Sequence, residues 1–112
     1  MVVLLQHEKV ASSNMSEEQK QRKETIAALL HQTGEDHLVA HKETNGADPD
    51  WPIWYADHLL ENGFDTLLDA RLVKSDLIYL LVLVDKQQVS EAPGAHWEKY
   101  YADFFVTRYL KG

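Results

Sequence analysis

Apolar residues recur at helical spacing in several stretches of this chain, and polar or turn-forming residues separate those stretches. The first stretch is marked by Ile26 and Leu30, which lie one helical turn apart. Ser16, with acidic residues in the turn that follows it, has the pattern of a helix cap, and Gly34 is a typical residue just past a helix end. The sequence therefore predicts a first helix over 16–33.

A second helix is predicted after a loop that is rich in turn residues. Proline is favoured in the first turn of a helix, where Pro52 would lie, and Asn62-Gly63 is a typical helix end. These signals predict a helix over 51–62. Residues 64–71 fit a short extra helix, whereas the segment before the second helix has the features of a long connection, which is often functional.

The third helix is predicted from an unbroken apolar run at residues 77–84. Periodicity alone does not separate a buried strand from a buried helix here. Ser75 and Asp76 are capping residues in front of the run, and no second strand is predicted that could pair with it, so a helix over 75–89 is favoured. A helix that is apolar all round has to be enclosed, so we expect residues 76–88 to form the centre of the bundle or part of a subunit interface.

Two aromatic stretches, WPIWYADHLL and WEKYYADFFV, follow the same pattern at a constant offset. On a helix the aromatic positions of each stretch form one stripe. The first stripe consists of Trp51, Trp54, Tyr55, His58 and Leu59, and the second of Trp97, Tyr100, Tyr101, Phe104 and Phe105. The second stretch predicts a last helix over 97–110. A chance match is the alternative, but we interpret the repeat as the core-facing sides of two helical hairpins. Such hairpins give an all-α fold, either a four-helix bundle or two helical hairpins stacked as a two-repeat solenoid.

Composition is consistent with one globular domain: the chain has 112 residues, of which 45% are apolar and 26% charged. We assign residues 15–112 to a single helical domain, because Met15 opens a sequence that resembles a natural start. Residues 1–14 lack the features of a signal peptide or a membrane span, and we expect them to form a flexible N-terminal arm.

The net charge of the chain argues against two classes of binding partner. At −7 it argues against nucleic acids and anionic membranes, because both require a basic patch on the protein. The chain has no cysteine, which excludes disulfides and thiolate metal sites and fits a cytoplasmic protein. It also lacks a serine-nucleophile motif and a glycine-rich phosphate loop. We therefore expect no catalytic residue and no cofactor, and a protein without enzymatic activity is favoured.

The stretch DWPIWYADHLL resembles a segment of small, uncharacterised bacterial helical proteins with a D-W-P-x-W-Y-A-x-x-L pattern. The resemblance covers residues 48–60 and, more loosely, 75–103. It implies a bacterial helical protein, and it brings no enzyme class, ligand or cofactor with it.

An aromatic group of residues is the first candidate for a binding site. His58 stands in the first stripe where the second has Phe104. Together with Trp51, Trp54 and Tyr55, it could therefore line a mostly aromatic pocket for a small-molecule ligand. The alternative is a histidine at the edge of the core, hydrogen-bonded to a carbonyl or a carboxylate.

A pair of histidines is the second candidate. His37 and His41 have the i, i+4 spacing of two metal ligands on one helical face, and Glu35 or Glu43 could add an oxygen ligand for zinc or a similar ion. The catalytic H-E-x-x-H pattern is absent, because Leu38 takes the place of its glutamate. Since the chain has six histidines, such a pair can also arise by chance.

Taken together, these patterns favour a non-enzymatic helical module for self-association or for binding a partner protein. A homodimer is the commonest closed assembly and is the one we expect. The alternative function is a small-molecule-binding protein or simple enzyme that uses the aromatic pocket, with a metal dependence through His37 and His41.

Overall fold

The structure is a computed structural model that describes residues 17–110. In this range the chain forms five α-helices and no strand: α1 (Glu17–Ala40), α2 (Trp51–Glu61), α3 (Phe64–Leu67), α4 (Lys74–Glu91) and α5 (Trp97–Tyr109). The prediction of an all-α fold is therefore confirmed. The predicted arm over 1–14 and the cap at Ser16 lie outside the described residues.

The four long helices form a ring in which each helix packs against two neighbours. α1 contacts α2 and α5, and α4 contacts the same two helices from the opposite corner. Polar contacts show that α1 and α5 run antiparallel, because Lys23 pairs with Asp103 while His31, further along α1, pairs with Glu98, nearer the start of α5. The predicted hairpins, α1 with α2 and α4 with α5, are thus the two halves of one bundle.

The core lies inside this ring and receives side chains from every helix. Its fully buried large side chains include Ile26, Leu30, Leu59, Phe64, Leu68, Leu77, Leu81, Val84 and Phe105. The short helix α3 inserts Phe64 edge-on to Phe105, with ring centroids 5.1 Å apart. This aromatic pair fills the end of the core that lies away from the first turns of α2 and α5.

The first helix does not end at Gly34, as the sequence predicted. α1 continues to Ala40, and Gly34 lies in its interior. A Cβ atom on Gly34 would be 3.1 Å from Cζ2 of Trp97 and 3.4 Å from the hydroxyl oxygen of Tyr55. The glycine is therefore present because two aromatic side chains pack against the backbone of α1, and a packing glycine has the same sequence appearance as a terminating one.

The apolar run of α4 is not enclosed on all sides, so the prediction of a central helix at residues 76–88 is wrong for the single chain. α4 occupies one corner of the ring, and Tyr79 and Val89 on its outer side are 65% and 60% exposed. Its N-cap is Val73, while Ser75 and Asp76 lie inside the first turn, and no side chain caps the helix.

The connection between α1 and α2 is shorter than the sequence suggested, because α1 extends further. A 3-10 turn at Lys42–Thr44 is followed by Asn45 and Gly46, whose φ angles of 57° and 85° are left-handed. Two successive left-handed residues reverse the chain at the end of α1. The reversal brings Asp48 back against the last turn of that helix.

Candidate metal centre

The candidate centre begins with two histidines at the end of α1. His37 lies in the last turn of the helix and His41 follows the helix directly, so the i, i+4 spacing places both on one face. Their rings stack with centroids 4.3 Å apart and planes inclined by 26°. The extension of α1 past Gly34 is what brings these two rings together.

The loop adds a carboxylate to this pair. Oδ2 of Asp48 lies 2.9 Å from Nε2 of His37 and 3.3 Å from Nε2 of His41. One nitrogen from each histidine and one carboxylate oxygen all lie within 4.8 Å of one another. The side chains of His37 and Asp48 are only 8% and 13% exposed, so the group is sheltered from solvent.

The hydrogen bonds of His41 determine where its proton lies. Nδ1 of His41 is 3.2 Å from the carbonyl oxygen of His37, and a carbonyl oxygen can only accept, so Nδ1 carries the proton and donates. In the neutral ring Nε2 then has a lone pair, and it faces an oxygen of Asp48 that also only accepts when ionised. A cation placed between these two acceptors would be attracted by both of them.

The charge of Asp48 is stabilised by its neighbours. The hydrogen bond from His37 holds the pKa of Asp48 below its ordinary value, and the backbone N–H of Asp50 acts in the same direction, although partial burial opposes both. Asp48 is therefore a carboxylate at neutral pH, which is the form that binds a cation.

Aromatic rings form one wall of the centre. Trp54 meets the ring of His37 edge-on, with centroids 5.0 Å apart, and that of His41 at 6.2 Å. It also stacks on His58 at 4.9 Å with nearly parallel planes. Nε2 of His58 lies 3.0 Å from Oδ2 of Asp36, so His58 is held at the edge of the bundle by a carboxylate.

The four residues of the predicted aromatic pocket have different surroundings in the structure. Trp51 and Tyr55 line an open groove of about 310 Å³. Trp54 and His58 share the same face of α2 but stack on one another beside the histidine pair. Tyr55 contacts both regions, because its ring is also 5.3 Å from that of His37.

Sequence reasoning missed the carboxylate that lies beside the two histidines, Asp48. Glu35 lies 3.7 Å from His31 instead, and Glu43 is exposed in the 3-10 turn. The signal that could have identified Asp48 is the Asn45-Gly46 dipeptide, because a tight reversal there returns the next residues to the end of α1.

Comparisons of the chain with protein-family models, with curated proteins and with solved structures give no match. None of the helices within residues 17–110 combines the length and the apolar character that a membrane crossing requires.

Proposed function

We propose that the protein binds a divalent transition-metal ion, with zinc as the best match, through His37, His41 and Asp48. The observation that supports this proposal is the convergence of two imidazole nitrogens and a carboxylate oxygen at one sheltered point. Neutral imidazole together with carboxylate is a ligand set that suits zinc and its neighbours, whereas calcium and magnesium prefer oxygen alone.

The two separations at Asp48 are compatible with a single ion. Zinc binds nitrogen and oxygen at about 2.0–2.2 Å, so two of its ligand atoms can be at most about 4.4 Å apart. The separations of 2.9 and 3.3 Å at Asp48 fall within that limit. An ion here would lie between the two acceptors on His41 and Asp48 and would remove their repulsion.

The second hydrogen bond of His41 also fits a ligand role. Metal-binding histidines generally donate their other N–H to a carbonyl or a carboxylate, which fixes the ring and its tautomer. The bond from Nδ1 of His41 to the carbonyl of His37 provides this support. Three protein ligands leave at least one coordination position for water or a small ligand.

Calorimetric titration of Zn²⁺ into tag-free, chelator-treated protein tests the proposal. We expect one ion per chain and a rise in the melting temperature that depends on zinc concentration. Asp48→Asn keeps an oxygen that can accept from His37, and His41→Gln alters a partly exposed position. Each should weaken zinc binding by at least about tenfold while the helical circular dichroism is retained.

The matched control is His96→Gln, since His96 is exposed in the loop before α5 and far along the chain from the centre. It should bind zinc as the native protein does. Absence of saturable binding to the native protein would overturn the proposal. Equal zinc affinity in the native protein, Asp48→Asn and His41→Gln would do the same, and the three residues would then be only a hydrogen-bonded clasp for the loop.

A second candidate function is self-association through the outer side of α4. The observation that favours it is the exposure of Tyr79, which belongs to the apolar run of α4, and of Val89 further along the helix. Large exposed apolar side chains are typical of interaction surfaces.

A further inference from the structure

A second site lies where α2 and α5 begin, on residues that the proposed metal centre does not use. The groove of about 310 Å³ at this end is lined by two tryptophan–tyrosine pairs, one from each aromatic stretch, and by the polar side chains of α4: Trp51, Tyr55, Trp97, Tyr101, Asp85 and Gln88. α2 and α5 are diagonal in the ring, but side chains from their N-terminal halves approach each other here, with the rings of Tyr55 and Trp97 6.3 Å apart. The two copies of the repeat therefore build one surface.

The aromatic rings in this groove form two pairs, and the two rings of each pair are nearly perpendicular. Trp51 and Tyr55 are 5.2 Å apart at 81°, and Trp97 and Tyr101 are 5.1 Å apart at 76°. In such an edge-to-face pair one π face is covered by the edge of the partner ring, and the remaining faces of the two rings are not used by that contact. Each face carries partial negative charge, so this arrangement favours a cation.

A carboxylate of α4 adds a full negative charge. The hydroxyl of Tyr101 donates to Oδ1 of Asp85 at 2.9 Å. Burial and the hydrogen bond to Asp85 raise the pKa of Tyr101 well above its ordinary value, so the hydroxyl keeps the proton that it donates. Among residues 17–110 no lysine, arginine or histidine forms an ion pair with Asp85, although it is only partly exposed. The groove thus holds a carboxylate whose charge is not balanced by the chain.

We propose that this groove binds a small molecule with an alkylammonium head, and that a quaternary ammonium fits it best. A primary ammonium or a guanidinium needs several hydrogen-bond acceptors, whereas a quaternary ammonium needs none and is recognised by aromatic faces together with one nearby negative charge. The volume of about 310 Å³ is at the lower end for ligand pockets, which restricts the occupant to a small molecule.

Calorimetric titration with choline, and with 3,3-dimethylbutan-1-ol as its uncharged counterpart of the same shape, tests the assignment. We expect saturable binding of choline, and binding of the neutral alcohol that is weaker by at least about tenfold, because only the cation interacts with the ring faces and the carboxylate. Asp85→Asn keeps an oxygen to accept from Tyr101 and should lower choline affinity by about tenfold. Asp76→Asn is the matched control, since it removes an exposed charge from the same helix.

Several outcomes would overturn the assignment. The first is that the native protein binds choline and the neutral alcohol with equal affinity, and the second is that it shows no saturable binding of choline. The third is that Asp85→Asn binds choline with the affinity of the native protein. Binding of a peptide with one trimethyllysine that is about tenfold tighter than that of choline would assign the groove to a protein side chain instead of a small molecule. All titrations contain a chelator, so failure of the metal proposal does not affect the result.

Discussion

Gly34 lies in the interior of α1, where glycine normally costs a helix about 1 kcal/mol relative to alanine. Here the missing side chain leaves room for Trp97 and Tyr55, which would lie 3.1 and 3.4 Å from an added Cβ. The same residue that weakens the helix locally thus allows a close contact between α1, α2 and α5. At this position the packing of the aromatic rings favours glycine, whereas helix propensity favours alanine.

Gly34→Ala is therefore expected to destabilise the protein, although alanine is the better helix former. Overpacking costs about 1–3 kcal/mol, which exceeds the gain in propensity of about 1 kcal/mol. Urea unfolding measures the difference. In a Trp97→Leu background the ring contact is gone, so the same substitution should become neutral or stabilising; stabilisation in the native background would contradict the packing role.

Only some of the side chains in the candidate metal centre could be predicted from the sequence. His37 and His41 could be proposed as a pair because their spacing is a local property of one helix. Asp48 could not be added, because its position depends on the two left-handed residues before it and on how far α1 extends. Contacts between elements are not encoded in spacing along the chain.

The pairing of α1 with α5 shows how elements are matched by charge. Nδ1 of His31 lies 2.7 Å from Oε2 of Glu98. The hydrogen bond to Glu98 and then the charge of Glu35 raise the pKa of His31 above its ordinary 6.5. Burial would raise the pKa of Glu98, but the bond from His31 and other contributions lower it below its ordinary 4.5.

We expect this pair to stabilise the fold fully only between about pH 4.5 and 6.5, where both groups are charged even in the unfolded chain. The raised pKa of His31 means that its contribution is lost as the pH rises through the folded-state pKa. The lowered pKa of Glu98 means that its contribution is lost as the pH falls through its own folded-state value.

Nuclear magnetic resonance titration of His31 and urea unfolding across this range measure the effect. In Glu98→Gln the pKa of His31 should move down toward 6.5, and the difference in unfolding free energy from the native protein should shrink above that pH. Asp103→Asn is the control, since it breaks the other α1–α5 ion pair without a histidine. An unchanged pKa for His31 in Glu98→Gln would contradict the pairing.

Helix positions were largely predictable, because an apolar periodicity is a property of a short stretch of chain. The second helix, predicted over 51–62, is found at Trp51–Glu61 with Asn62 as its C-cap. The prediction errors concern helix ends, whose positions depend on tertiary packing. α1 continues past Gly34, and α4 begins before its apparent caps at Ser75 and Asp76. The predicted central position of α4 was wrong for the single chain, because an apolar sequence does not tell which side of a helix faces away from the core.

At the scale of the whole molecule, we expect a homodimer that covers the outer side of α4. Sedimentation of the native protein at tens of micromolar should show the dimer, and Tyr79→Lys should shift it to the monomer by placing a charge in the interface. Val39→Lys is the control, because Val39 is 74% exposed on α1, diagonally across the ring. A native protein that is monomeric at this concentration would contradict the expectation.

The ring of helices also determines how cooperative folding has to be. Three of its four sides join helices that follow one another among the long helices, and such pairs close short loops. The fourth side, α1 against α5, includes a hydrogen bond from Gln19 to the carbonyl of Leu110, with a sequence separation of 91. The packing of α1 against α5 is also the most extensive contact between two helices. It closes the longest loop of chain and therefore has the largest entropic cost. The same contact joins the N-terminal and C-terminal helices, so the four helices are expected to fold as one unit.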